Sequence, residues 1–231
     1  PAHTPLDSSL LINCVAYMFE ETGRFTKPID ILLTKNDGVW IGGFDVLSGG
    51  VAFALTFMDE RSVPDNNHGK GYYYYLKDRS GEILGGAKAS IAQCYVQESN
   101  ILKLEVNLKK AKELFEKEFD ENSQLKPYYI LSYSYTFDRN NPAERFDLIS
   151  ELDKLYNNRS AFDEMTLTDI SLIYNKLLLK DREEECTEYT IQKYPNGKQA
   201  FQLTSLPFQK DLRETSELNR KLKIYKRMNK Y

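Results

Sequence analysis

The densest chemistry in this sequence lies at its end. Six of the last twelve residues, Arg220, Lys221, Lys223, Lys226, Arg227 and Lys230, are basic and none is acidic. Residues 210–231 hold eight bases against three acids, a net +5, which leaves −8 on residues 1–209 of a chain whose formal charge is −3. Charge gathered at one end is a handle for an anionic partner, because Lys and Arg neutralise phosphates without reading sequence. Two further sets have the residue types of covalent catalysis. Cys14, His68 and Asp78 supply a thiol, an imidazole and a carboxylate, which can act as nucleophile, base and orienting acid. Lys35 closes a strand-like run, Ile29–Thr34, where a desolvated amine of lowered pKa would be a nucleophile. The acids Asp30, Asp45, Asp59 and Glu60 stand near the ends of expected strands, but no lysine accompanies them at the spacing of a metal-dependent nuclease.

Two of these sets carry a family resemblance. The order Cys14, His68, Asp78 resembles that of papain-like cysteine hydrolases and transglutaminases, which implies a cysteine at a helix N-terminus and a histidine opening a strand. The tetrapeptide Lys35-Asn36-Asp37-Gly38 resembles the KxDG signature of covalent nucleotidyltransferases, the ligase and capping-enzyme superfamily. That resemblance implies that Lys35 takes AMP or GMP as a phosphoramidate. It covers this motif alone: the acidic third motif and the Glu-Gly fourth motif are missing, and only Lys221-Leu222-Lys223 stands where a closing Lys-x-Lys would be sought. Asn-Asp-Gly is equally the sequence of a tight hairpin turn, because those residues tolerate positive φ. Cys14 reads as well as a buried core cysteine, and His68, beside Asn66, Asn67 and Gly69, as a loop residue.

The totals restrict the remaining classes. With 41% hydrophobic and 28% charged residues, the chain has the composition of a folded domain rather than a disordered one. Cysteine is odd in number (three) and without a CxxC pair, and histidine is limited to His3 and His68; a disulfide framework and a zinc knuckle are therefore not expected, and neither is a cofactor or metal. No apolar run approaches the ~20 residues of a membrane span, and no signal peptide is evident. An intracellular location, cytoplasmic or nuclear, is the resulting expectation. Tyrosine is abundant at 16 residues, which suits half-buried strands and protein interfaces.

Stepping along the chain, apolar spacing from Leu10 to Met18 predicts a helix capped at Asp7 or Ser8 and stopped by Gly23. Strands are expected at 29–34, 39–44, 51–58, 72–77, 82–84 and 87–97, with a polar loop at 59–71 and a hairpin turn at Asp37-Gly38. Beyond Glu98 the expected order is a strand at 102–106, a helix capped by Asn107, a strand at 128–137, and a helix opening at Asn141-Pro142 with Phe146, Ile149, Leu152 and Tyr156 on one face. A helix capped by Thr168, a hairpin at 189–204 around Pro195-Asn196-Gly197, and a helix over 210–229 with Leu218, Leu222 and Tyr225 on one side complete it. This order predicts an α+β fold, with a largely antiparallel, hairpin-built sheet in the N-terminal half, mixed helices and strands after it, and a basic C-terminal helix. One domain over residues 1–231 is expected, the alternative being a β-rich part to 98, a mixed part over 99–209 and the basic helix. Function is expected to be non-catalytic: a component of a nucleoprotein or multi-protein assembly, contacting nucleic acid, an acidic protein surface or another polyanion through the basic helix. The catalytic alternatives are the hydrolase set and Lys35.

Overall fold

The computed structural model describes residues 6, 10–23, 28–96, 102, 104–203, 205 and 218–228, with side chains of the last segment from 222 onward. The chain divides into two compact units, residues 1–148 and 149–231, and the division falls within a helix.

The first unit is built on an antiparallel sheet. Strand β1 (Ile12–Glu20) pairs with β2 (Ile29–Ile31) on one side and with β5 (Gly50–Asp59) on the other. The far side of β5 receives both β6 (Pro64–Asp65) and β7 (Tyr72–Tyr75). A separate two-stranded ribbon joins β3 (Thr34–Asn36) to β4 (Val39–Ile41). Its turn has positive φ at both Asp37 and Gly38, the primed geometry that matches strand twist. β6 lies inside the expected loop at 59–71, and the expected hairpin at 72–84 shrinks to β7 and one bridge, Lys77 to Ile83.

The expected first helix is strand β1. Ile12, Cys14, Ala16 and Met18 are buried and the residues between them are exposed or half-buried up to Tyr17, a period of two. Leu10, needed for the helical stripe, is 89% exposed. The β-branched and aromatic residues Ile12, Val15, Tyr17 and Phe19 favour the pleated state.

The reverse substitution occurs at Ala87–Val96, expected as a strand and found as helix α1. Alanine supplies three of its ten residues, and almost every position is buried, so the helix lacks the polar face that would reveal it. Helix α1 packs on β1, β5 and β7 and against α2 (Leu108–Glu121). The Asn107 side chain caps α2 as expected, its Oδ1 accepting from Lys110 N at 3.0 Å. The expected strand at 128–137 is mostly helix α3 (Lys126–Ser134), in which Tyr129, Ile130 and Tyr133 are buried at helical spacing. Residues 104–106 are in no strand.

Two side chains lock this helical layer together. Glu118 of α2 is 1% exposed and caps α1: its carboxylate accepts from Gly86 N and Lys88 N, each at 2.9 Å, and from Asn122 Nδ2 at 2.7 Å. An anion there also meets the positive end of the α1 dipole. Tyr129 of α3 places its hydroxyl 2.8 Å from the Glu21 carbonyl, 3.2 Å from the Gly86 carbonyl and 2.8 Å from Ser90 Oγ. Gly86 itself has φ +84°, and a Cβ there would stand 2.4 Å from the Glu21 carbonyl oxygen.

The second unit is helical throughout its described residues. Helix α4 (Pro142–Asn157), in which the division falls, starts as expected: Asn141 Oδ1 accepts from Ala143 N at 3.0 Å. Its buried residues are Leu148, Leu152 and Tyr156, whereas Phe146, expected among them, is 72% exposed. Helix α5 (Glu164–Lys176) is capped by Asp163, whose Oδ1 accepts from Thr166 N at 2.8 Å; Thr168, the expected cap, lies within the helix. The expected hairpin at 189–204 is instead the end of helix α6 (Lys180–Lys193), a turn at 195–197, and helical residues 198–203, designated α7. Cys186 and Thr190 of α6 are buried one turn apart, and Thr190 Oγ1 donates back to the Cys186 carbonyl. Helix α8 (Leu218–Met228) closes the described chain; residues 210–217 and 229 of the expected longer helix lie outside the described residues.

An antiparallel sheet in the N-terminal part followed by helices makes the chain α+β. Of the strands expected after residue 98, those at 128–137 and 189–204 are replaced mostly by helix, and 104–106 are irregular. No described helix is long and apolar enough to cross a membrane.

Candidate functional site

One face of the β1–β5–β7 sheet is aromatic, for reasons of register. On β5 the residues Phe53, Leu55 and Phe57 share a face, and the pairs Leu55↔Tyr72 and Phe53↔Tyr74 bring two tyrosines of β7 to that face. Phe57 meets Tyr72 edge-on at 5.1 Å between centroids, and Phe53 stacks on Tyr74 at 5.1 Å. The other two tyrosines of β7 project oppositely; Tyr73 packs edge-on against Tyr95 of α1. The run of four tyrosines therefore serves two layers.

Above the aromatic face lies a cavity of about 500 Å³. Its aromatic walls are Trp40, Phe57, Tyr72 and Tyr74, with Leu33 and Leu55 among the aliphatic ones. Trp40 comes from the β3–β4 ribbon, where it sits opposite Lys35, and the Lys35 Nζ stands 5.4 Å from the indole centroid. Asp65 is the one charged residue of the lining among the described residues, brought there by its pairing with Phe57. Its Oδ2 accepts from the Tyr72 hydroxyl at 3.0 Å and its Oδ1 from Asn67 N at 3.0 Å. Burial, then the hydrogen bond and charge of Asp65, push the Tyr72 phenol up to about 12, so it remains a neutral donor. A volume of this size with apolar walls and one placed polar group has the character of a small-molecule site.

The hydrolase set is not assembled. Cys14 lies in mid-strand between Ile31 and Phe57, buried, not at a helix N-terminus, and burial pushes its thiol up to about 11. His68 is an exposed turn residue with φ +53°. The Asp78 carboxylate is used by its own turn, Oδ1 accepting from Ser80 N at 2.8 Å, Ser80 Oγ at 2.6 Å and Glu82 N at 3.0 Å. No hydrogen bond joins any two of Cys14, His68 and Asp78 among the described residues. Lys35 is exposed on its ribbon rather than desolvated, its ammonium over Trp40. Among the acids near strand ends, Asp59 is buried and engaged by its own loop: Oδ1 accepts from Val63 N at 2.7 Å and Oδ2 from Arg61 Nε at 2.9 Å. Among the described residues no three His, Cys, Asp or Glu are grouped to hold a metal ion.

In helix α8 the buried residue is Ile224, while Leu222 and Tyr225, expected on the apolar side, are exposed. Lys223, Lys226 and Arg227 are exposed. Arg220 and Lys221 belong to the helix, but their side chains, like Lys230, lie outside the described residues.

Comparison with known proteins places no relative beside the chain: no family model, no curated protein and no solved structure matches it. The aromatic cavity was not foreseen from sequence. The available signals were the sole tryptophan two residues after an Asp-Gly turn, and four consecutive tyrosines whose alternate members must share a face.

Proposed function

We propose that this chain is a non-catalytic binding protein, a component of a nucleoprotein or multi-protein assembly, and that helix α8 contacts nucleic acid or another polyanion. The observation that carries this reading is the helix itself, which buries Ile224 and exposes Lys223, Lys226 and Arg227 within a segment holding no acid. Such a helix neutralises phosphates as point charges, with little reading of bases. Each neutralised phosphate steepens the dependence of log affinity on log salt by about 0.9 for duplex DNA and about 0.7 for single strands. The setting of Cys14 in a strand and of Lys35 in the open favours binding over the two covalent chemistries.

The test is anisotropy of labelled single-stranded DNA, duplex DNA and RNA across a sodium chloride series, for the full chain and a Lys223→Ala/Lys226→Ala variant. The expected result is a salt slope shallower in the variant by about 1.8 for duplex DNA and about 1.4 for single strands, alike for different sequences. Equal affinity and equal slope for the two proteins would refute the role of α8.

A further inference from the structure

We propose that the cavity beneath the β3–β4 ribbon binds a small hydrophobic molecule carrying a trialkylammonium group. This goes beyond the polyanion reading and is independent of it, since it concerns a different site of opposite charge preference.

Shape alone calls only for something apolar; charge decides the class. The walls present the rings of Trp40, Phe57, Tyr72 and Tyr74, whose faces are the negative part of the aromatic quadrupole and attract cations. Among the described residues the single charged one of the lining is a carboxylate, Asp65, and none is basic. Both oxygens of Asp65 accept hydrogen bonds from donors of the chain, Tyr72 and Asn67, which hold the carboxylate at the wall. Aromatic walls hold a cation without hydrogen bonds. A trialkylammonium, which has no N–H to satisfy, therefore suits this lining better than a primary ammonium, whose three donors would need more acceptors than the lone pairs Asp65 has left. The chain's own behaviour points the same way: Lys35, opposite Trp40 on the ribbon, sets its ammonium over the indole at 5.4 Å. An entering trialkylammonium competes with that lysine for the indole and is repelled by its charge. Lys35 is thus a competitor for Trp40, while the aliphatic walls at Leu33 and Leu55 take the uncharged remainder of the ligand.

Trp40 is the only tryptophan of the chain, so its fluorescence reports on this cavity without labelling. The probes are benzyltrimethylammonium, the uncharged benzyl alcohol and the anion phenylacetate, titrated into the full chain. Expected is a saturable change in Trp40 emission with the cation, at a dissociation constant on the order of 1 mM or tighter, and binding about 10-fold weaker for the other two. Asp65→Asn, which keeps an acceptor for Tyr72, should weaken the cation about 5- to 10-fold and leave benzyl alcohol unchanged. Lys35→Ala should tighten the cation about 3-fold. Unchanged far-UV circular dichroism and unfolding midpoint check that both variants are folded. Benzyl alcohol binding as tightly as the cation would reduce the site to an apolar hole and overturn the proposal. Tighter binding of phenylacetate, lost in Lys35→Ala, would overturn it in favour of an anion site, and no emission change with any probe to 10 mM would also overturn it.

Discussion

Glu118 is the side chain whose removal should cost this fold most per atom. In Glu118→Ala the amides of Gly86 and Lys88 lose their acceptor, each now bonded at 2.9 Å in a site 1% exposed. Leaving a buried donor unpaired costs about 1–3 kcal/mol; Gly86 N bears that in full and the half-buried Lys88 N less, so the pair accounts for about 2–4 kcal/mol. Loss of an anion at a helix N-terminus adds about 0.5–1 kcal/mol. A central value of about 4 kcal/mol is a large share of the ~5–15 kcal/mol that holds a typical domain together. Glu118→Gln keeps one acceptor oxygen of the two and should lose about half as much. Urea unfolding followed by Trp40 emission measures this in the first unit alone, since Trp40 is the sole tryptophan and lies there. The expected readout is a lower midpoint at unchanged slope. A Glu118→Ala protein within about 0.5 kcal/mol of the parent would mean that water or a shifted backbone satisfies these amides, and the capping argument would fail.

The cysteines and one carboxylate give two further tests, beside those of α8 and the cavity. Burial pushes Cys14 and Cys186 up to about 11 and Cys94 up to about 12, which leaves Cys14 roughly one part in three thousand thiolate at pH ~7.5. Iodoacetamide should therefore modify the native chain negligibly within minutes and all three cysteines in urea; rapid selective labelling of Cys14 would restore the hydrolase reading. Asp169 is raised to about 6, first by burial and then by the nearby charge of Asp163. Because the folded state then binds its proton more tightly than the unfolded, stability attributable to this group is present below about pH 4 and lost as pH rises to about 6. Asp169→Asn should accordingly raise stability at neutral pH by about 1–2 kcal/mol, after allowance for partial exposure, and flatten the thermal midpoint between those pH values; an unchanged midpoint profile would refute it.

What was legible in the sequence was local. The cap at Asn107, the helix start at Asn141-Pro142 and the Asp37-Gly38 turn each depend on atoms within four residues, and each is found where expected. Periodicity failed where burial was not one-sided. Helix α1 is buried all round, so an alanine-rich helix read as a strand. In β1 the apolar residues from Leu10 to Met18 imitated a helical stripe, but Leu10 and Leu11 are exposed and burial alternates from Ile12 to Met18. In α3 four aromatic or β-branched residues suggested a strand, but tertiary packing of Tyr129 and Tyr133 overrode their propensity. The cavity needed a register that only the folded sheet supplies: Trp40, Asp65 and Tyr72 come from separate strands, and nothing in their spacing brings them together.

The hydroxyl of Tyr129 has a consequence for the time course of folding. Its bond to the Glu21 carbonyl spans 108 residues, whereas α1, α2 and α3 meet one another over much shorter stretches. Closing so long a loop carries an entropic cost that local helix contacts do not, so this bond is expected to form late, after the folding barrier. An interaction made late acts as a brake on departure rather than an aid to arrival. Tyr129→Phe, which removes the hydroxyl and keeps the ring, should hasten unfolding while leaving the folding rate nearly untouched. The junction of Glu21, Gly86 and Tyr129 then sets the lifetime of the first unit more than the speed at which it is made.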